Sequence, residues 1–306
     1  MQPIDDFMEE VNEYIRGRNF DSLEDLNAAL AEFSERTNRQ RHQSFAGLSP
    51  DHIHNMLYRP FDGTGEILTL NRELDTDQVR ATPIMEDARI VLEHFAERKT
   101  VRATAKGFLA RASAQALHVV LAKEPIEQRF LPQSEENSGS VHWFRLLLQR
   151  IGWIKLRKGR FSLTKAGELI VESGIAAKHY HKLLRFYGTR FNWAFRDAYP
   201  QIEIIQSGFL FALFLARRNA ETLASVDELA GRFLQAFPLA ISDIPPTPLH
   251  QPEEIFQAAF RLRFVHRFAE PFGLFEVHQP PSQGATEGPL SYRITPLYQQ
   301  LLSWDR

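Results

Sequence analysis

The stretch Trp153-Ile154-Lys155-Leu156-Arg157-Lys158-Gly159-Arg160-Phe161-Ser162-Leu163 decides the fold of this chain. Apolar and basic residues alternate along it, and a basic turn that contains one glycine interrupts the alternation. Such a pattern is typical of two half-buried strands joined by a tight turn. Ile154 and Leu156 are expected on one face of the hairpin, and Lys155 and Arg157 on the other. The stretch therefore predicts a β-hairpin with a basic tip.

The segments before and after this hairpin predict a small helical domain that contains the hairpin near its C-terminal end. Helical patterns are predicted from Pro83 to Phe95, from Thr104 to Val119 and from Val141 to Ile151, with a short strand at 100–103 and a final helix capped by Thr164. The order of helix, short strand, two helices and hairpin is that of a winged helix, a variant of the helix-turn-helix. The basic hairpin would be its wing.

The same order of patterns recurs in the last third of the chain. Helices are predicted at 201–218, 225–237, 253–270 and 296–304, and a hairpin from the strands 273–277 and 290–295. Gly152-Trp153-Ile154-Lys155-Leu156 matches Gly273-Leu274-Phe275-Glu276-Val277 in position and pattern. The agreement of order, spacing and capping predicts a structural duplication.

These patterns define the fold class and four segments. We predict a mainly α protein with small β-hairpins, in which a helical N-terminal region precedes two winged-helix-like units. The predicted segments are the N-terminal region 1–82, the first unit 83–175, an aromatic connector 176–200 and the second unit 201–306. In the N-terminal region, Ser22 and Ser49 are expected to cap helices, and Pro50 suits the first helical position.

Part of the sequence resembles a bacterial protein family. Phe45-Ala46-Gly47-Leu48-Ser49-Pro50, followed by His54-Asn55-Met56-Leu57-Tyr58-Arg59-Pro60-Phe61, gives a GLSPxxxHxxLYxPF motif, and Phe191-Asn192-Trp193 adds to it. Both are similar to sequences in a group of bacterial proteins without an assigned activity. Some members carry a C-terminal Cys-rich metal-binding motif, which is absent here because the chain has no cysteine. The resemblance covers much of the chain and implies no functional residues.

The absence of cysteine excludes several classes of site. Disulfides, thiolate zinc sites, iron–sulfur clusters and cysteine nucleophiles are all ruled out. The acidic start Met1-Gln2-Pro3-Ile4-Asp5-Asp6 lacks the pattern of a signal peptide. The most apolar stretch, Gly208 to Ala216, is too short to span a bilayer and predicts a buried helix. We therefore expect a cytoplasmic protein with no membrane partner.

Charge is distributed unevenly along the chain. The net charge is −2, and acids outnumber bases between residues 1 and 40. Between residues 141 and 190 the acids are only Glu168 and Glu172. The bases there are Arg145, Arg150, Lys155, Arg157, Lys158, Arg160, Lys165, Lys178, Lys182, Arg185 and Arg190. This asymmetry predicts a local basic surface on a protein that is not basic as a whole.

The basic hairpin and the helix before it are the predicted binding site. Phosphates would be held by Lys155, Arg157, Lys158 and Arg160, and base edges approached by His142, Arg145 and Gln149. The last three share one helical face, as residues of a recognition helix do. We therefore expect a DNA-binding regulatory protein with duplex DNA as its partner. The alternative for the hairpin itself is a solvated surface, or docking onto the acidic N-terminal helices.

Two other functions stay open. The protein could be an interaction or scaffold module that binds a protein partner or itself, which suits the less basic second unit. It could also be an enzyme with a cryptic site, although no catalytic residue is predicted, since the sequence has no nucleophile elbow and no phosphate-binding loop. His52 with His54 and His179 with His181 point about 200° apart on a helix, so we expect capping or surface roles, no bound metal and no cofactor.

Overall fold

A computed structural model describes residues 10–62, 64, 67–123, 125–219, 222–242, 244–280 and 288–304. The chain is mainly helical and carries small antiparallel sheets of two and three strands, which include hairpins. It divides into two compact units, residues 1–64 and 65–306. The basic hairpin lies in the second of these.

The described part of the first unit, residues 1–64, consists of helices and their connections. The helices are α1, which includes residues 10–15, α2 (Leu23–Arg39) and α3 (Pro50–Tyr58), and α2 and α3 each begin at a serine cap. The hydroxyl of Ser22 accepts a hydrogen bond from the backbone N–H of Asp25, and that of Ser49 from His52. Both predicted caps are thus confirmed. The predicted helical pattern from Ile4 onward lies outside the described residues up to position 9.

The second unit, residues 65–306, contains one series of elements twice. The opening elements are β1 (Leu68–Leu70) and α4 (Thr76–Arg80). The first series is α5 (Pro83–Arg98), β2 (Val101–Arg102), α6 (Arg111–Leu121), α7 (Pro125–Gln128), a 3₁₀ turn (Glu135–Asn137), α8 (Gly139–Arg150), β3 (Ile154–Arg157), β4 (Arg160–Leu163) and α9 (Lys165–Ser173). After α10 (Ala177–Thr189) and α11 (Glu203–Ser207), the second series is α12 (Phe209–Ala216), β5 (Ala224–Ser225), α13 (Val226–Ala236), a 3₁₀ turn (Pro238–Ile241), α14 (Pro252–Phe260), a π-helix (Arg261–Ala269), β6 (Phe275–His278), β7 (Ser291–Ile294), α15 (Pro296–Leu301) and β8 (Leu302–Trp304).

The two series agree in sheet topology and in individual hydrogen bonds. The three-stranded sheets have the orders β2-β4-β3 and β5-β7-β6. Gly152 and Gly273 both enter the hairpin with positive φ, 83° and 68°. The Thr164 hydroxyl donates to the Gly152 carbonyl over 2.7 Å, and the Thr295 hydroxyl to the Gly273 carbonyl over 2.6 Å. Both predicted hairpins and the Thr164 cap are confirmed.

Several predicted boundaries were wrong because long-range contacts override the local pattern. The helix predicted from Thr104 begins only at Arg111, since Ala103 and Leu109 form a β-bridge across the intervening loop. The helix predicted over 201–218 is divided at Gly208, where a Cβ would lie 2.6 Å from the Phe233 ring. The C-terminal helix ends at residue 301, and β8 pairs with β1.

An aromatic cluster around Trp193 joins the two series. Trp193 is 1% exposed and lies between Tyr187 of α10, at 5.5 Å between ring centroids, and Phe268 of the π-helix, at 4.7 Å. On the side of the first series, Phe191 contacts Trp143 of α8 edge-on at 5.9 Å. Burying large aromatic rings in this way contributes heavily to a core.

The apolar stretch predicted as a buried helix is one. All side chains of α12 are buried, in agreement with the prediction. None of the helices in the described ranges combines the length and the apolar character that crossing a bilayer needs.

Two helical glycines test the packing of α9 against the hairpin. A Cβ on Gly167 of α9 would lie 2.2 Å from the backbone oxygen of Trp153, whereas a Cβ on Gly231 of α13 meets no atom within 4 Å. Gly167→Ala should lower the free energy of unfolding by about 1–3 kcal/mol through overpacking. Gly231→Ala should raise it by about 0.5–1 kcal/mol, because alanine favours helix. Urea denaturation of both variants checks this, and equal effects of the two would contradict it.

Candidate functional site

The exposed face of the first three-stranded sheet carries a row of arginines. Arg102 lies directly opposite Arg160, and Arg160 directly opposite Arg157. Directly opposed residues of antiparallel strands point to the same side of the sheet, and Lys155, two residues before Arg157, shares that side. All four residues are exposed. Together with Lys158 in the turn they form what we call the basic sheet face.

The turn of this hairpin is built on two left-handed residues. Lys158 has φ 50° and Gly159 has φ 71°. Positive φ at both central positions is the geometry of a type I′ turn, which matches the twist of the adjoining strands. Glycine adopts it freely, whereas lysine is strained there. The turn projects Lys158 from the end of the basic sheet face into solvent.

The basic sheet face has no internal counter-charge in the part of the chain that the structure describes. Among the described residues, its side chains make one hydrogen bond, from Arg160 to the hydroxyl of Thr100 at 3.3 Å. No described carboxylate forms an ion pair with any of its five residues. Like charges in directly opposed positions are destabilising. The arrangement therefore favours an external anion.

The second three-stranded sheet has the same backbone and a different charge. The row equivalent to the three arginines consists of Ser225, Ser291 and His278. The position equivalent to Lys155 is Glu276, whose carboxylate accepts a hydrogen bond of 2.7 Å from Arg293 on the neighbouring strand. Charge on this face is thus paired, and only the first sheet is basic.

The helix predicted to approach base edges uses its polar side chains internally. Arg145 is 4% exposed, donates to the Glu135 carboxylate over 3.0 Å from Nε, and donates to the side chain of Gln149 over 2.7 Å. His142 lies 2.7 Å from the same carboxylate through Nδ1. His142, Arg145 and Gln149 therefore form a half-buried network around Glu135, and that they approach base edges stays a prediction.

Glu135 is the residue that draws this network inward. It lies in the 3₁₀ turn before α8, is fully buried, and also accepts a hydrogen bond of 2.6 Å from the backbone N–H of Leu109. Burial would raise the pKa of Glu135, but the hydrogen bonds from His142 and Arg145 outweigh it and hold that pKa below its ordinary value. No local pattern of the sequence indicates this acid, because its partner Arg145 lies ten residues later.

A second buried ion pair holds the segment that follows α10. Both oxygens of Asp197 accept hydrogen bonds of 2.8 Å from Arg263 of the π-helix, which is 1% exposed. The same guanidinium donates to the Pro200 carbonyl, at 2.8 Å. One helical turn later, Arg267 donates to the carbonyl oxygens of Trp193 and Phe195. The π-helix thus fixes the backbone between residues 193 and 200.

The paired histidines serve as helix caps. Nδ1 of His52 accepts from the backbone N–H of Ser49 at 3.2 Å, and Nδ1 of His179 accepts from Ala176 at 3.0 Å. The predicted capping role is confirmed for these two. Within the described residues, no three side chains of His, Asp or Glu are grouped so that they could hold a metal ion. That the protein binds no metal stays a prediction.

The buried carboxylate of Glu135 yields a matched test with its exposed neighbour Glu136. Glu135→Gln should lower the free energy of unfolding at pH 7 by about 3–5 kcal/mol, because Arg145 loses its counter-charge. Glu136→Gln should change it by less than about 0.5 kcal/mol, since Glu136 is exposed and lies 3.7 Å from Lys106.

The contribution of the Glu135 carboxylate to stability should depend on pH in a definite direction. A carboxyl with a lowered folded-state pKa stabilises above its unfolded pKa, near 4.5, and that contribution is lost as pH falls through the folded value. The difference between the unmodified protein and Glu135→Gln in urea denaturation should therefore shrink below pH 4.5. A difference that stays constant down to pH 3 would contradict the role given to this carboxylate.

Comparison with known proteins brings no relative. No protein-family model, no curated protein and no solved structure matches this chain. The resemblance of its N-terminal motif to a bacterial family remains a prediction.

Proposed function

We propose that this protein binds nucleic acid, with duplex DNA as the partner, by holding backbone phosphates on the basic sheet face. The observation that carries the proposal is the cross-strand row of Arg102, Arg160 and Arg157, which is exposed and has no described counter-charge. Adjacent strands lie about 4.8 Å apart, so the row spans about 10 Å of surface. Guanidinium groups bind phosphate through paired hydrogen bonds.

The proposed fold is a helical N-terminal region followed by two winged-helix-like units. Each series has a helix, a short strand, two further helices and a hairpin, and its first strand pairs with its last. That order and that pairing are what a winged helix requires. The basic hairpin is then the wing of the first winged-helix-like unit, and the second winged-helix-like unit carries a wing of paired charge.

In the proposed mode of binding, the protein contacts the phosphates of DNA and does not recognise a particular base sequence. Base readout requires side chains that reach base edges, and α8 keeps Arg145 and His142 bonded to Glu135. Phosphate contacts carry no sequence information by themselves. We therefore expect similar affinity for duplexes of different sequence, and affinity that depends strongly on salt.

Neutralising four of the five residues of the basic sheet face should reduce that salt dependence. Each phosphate contact contributes about 0.9 to the slope of log K against log salt concentration. The combined variant Arg102→Gln, Lys155→Gln, Arg157→Gln and Arg160→Gln should therefore lower the slope by up to about 3.6. Fluorescence anisotropy with a labelled random duplex, titrated over a series of salt concentrations, measures it. The variant should stay folded, because Ile154, Phe161 and Leu163 still form the apolar face.

The second sheet supplies the matched control. Arg293→Gln combined with His278→Gln changes the equivalent strands and should leave the slope unchanged, since Arg293 is already paired with Glu276. The unfolding free energy of the four-residue variant should change little, because the variant loses like-charge repulsion together with one exposed hydrogen bond, from Arg160 to Thr100. Absence of salt-sensitive binding to any duplex at low ionic strength would refute the proposal.

An interaction module is the second candidate, favoured by one apolar patch. Val119, Phe130 and Leu131 line one surface pocket between α6 and the segment after α7 and are exposed by 46–70%. Clustered apolar side chains of this kind mark protein-binding surfaces. If DNA binding fails, Leu131→Asp should weaken self-association or partner binding, measured by sedimentation equilibrium and pull-down.

A further inference from the structure

A cavity of about 670 Å³ lies where the two series meet. Aromatic side chains form part of its wall: Trp143 from α8, and Phe195 and Tyr199 from the segment after α10. Ala258 of α14 and Leu262 of the π-helix complete the apolar part. The volume falls within the range of about 300–1,000 Å³ that is typical of small-molecule sites.

The π-helix shapes this cavity. Its wide turns are shown by the hydrogen bond from the backbone N–H of Glu270 to the carbonyl of Val265, five residues earlier. π-helical turns are rare and occur frequently at functional sites. Here Arg263 and Arg267 hold the segment after α10, while Leu262 lines the space. The π-helix therefore both lines the cavity and holds in place the segment after α10 that forms another part of its wall.

One cation of the lining, Arg196, is held in a strained conformation. Its φ is 55°, a left-handed value that costs a non-glycine residue of order 1–3 kcal/mol unless the surroundings impose it. The next residue, Asp197, is anchored to Arg263 through both carboxylate oxygens, which fixes the backbone beside Arg196. The Arg196 guanidinium is exposed, and among the described residues it donates one hydrogen bond, to the backbone carbonyl of Glu136 at 3.0 Å.

The other cations around the cavity already face carboxylates. Arg261 makes two hydrogen bonds to Asp227, at 2.7 and 2.6 Å, and Lys123 contacts Asp87 at 3.1 Å. Arg267 and His266 lie near Asp197 and Glu270. Among the lining cations that the structure describes, Arg196 has no carboxylate in an ion pair. It is the group of the wall to which an incoming anion would bind.

We propose that this cavity binds a small organic anion with an aromatic body. The anionic group, a carboxylate or a sulfonate, pairs with the guanidinium of Arg196, and the ring packs among Trp143, Phe195 and Tyr199. This site is separate from the basic sheet face, and the proposal does not depend on DNA binding.

The test uses the full chain and the aromatic sulfonate 8-anilinonaphthalene-1-sulfonate as the probe, followed by its fluorescence. Arg196→Gly removes the cation while glycine tolerates φ 55°, so the variant should be at least as stable as the unmodified protein. Loss of a charged hydrogen bond predicts a Kd raised about 10- to 100-fold. Arg196→Lys should retain most of the affinity, and Ala258→Trp, which fills the cavity, should abolish saturable binding.

A neutral analogue separates charge from apolar contact. N-phenyl-1-naphthylamine lacks the sulfonate and should bind the unmodified protein and Arg196→Gly with the same Kd. Arg190→Gln, an exposed arginine outside the cavity lining, should not change the affinity for either probe. An unchanged sulfonate Kd in folded Arg196→Gly, or full binding in Ala258→Trp, overturns the proposal.

Discussion

The ion pair between Asp197 and Arg263 is the interaction on which the arrangement of the second compact unit depends. Both side chains are nearly inaccessible, at 1% and 2% exposure, and two hydrogen bonds of 2.8 Å join them. A buried charge that loses its partner costs several kcal/mol, so this pair strongly disfavours any conformation that separates the segment after α10 from the π-helix. Because that segment also contacts α8 through Phe195 and His142, the pair connects the two series of elements.

A second buried pair acts in the same way on the other side. Glu135 turns Arg145 and His142 of α8 toward the interior, as Asp197 does with Arg263 of the π-helix. Both helices that precede a hairpin are therefore occupied by internal contacts. The basic sheet face stays exposed, which is why the proposed interface is the sheet and not the helix.

The two series show that one backbone supports two different surfaces. The hydrogen bonds of Thr164 and Thr295 to the glycines that open each hairpin are equivalent within 0.1 Å. These contacts involve the backbone and a cap, so they do not constrain the exposed positions of the strands. The exposed face could therefore carry arginines in one sheet and a neutralising Arg293–Glu276 pair in the other without a change of fold.

The sequence by itself determined the features that depend on neighbouring residues. Both hairpins, the caps at Ser22, Ser49 and Thr164, and the buried α12 follow from the period of apolar residues and from short side-chain to backbone bonds.

Only the tertiary structure decided the features whose partners are distant in sequence. Asp197 and Arg263 are 66 residues apart. β1, at residues 68–70, pairs with β8, at residues 302–304. Arg102 lies on the basic sheet face because β2 pairs with β4. Arg145 is buried, although the sequence predicts it at the surface, because it forms an ion pair with the buried carboxylate of Glu135, ten residues earlier. No local pattern reports such partners, since the free energy of these contacts comes from desolvated charges brought together by folding.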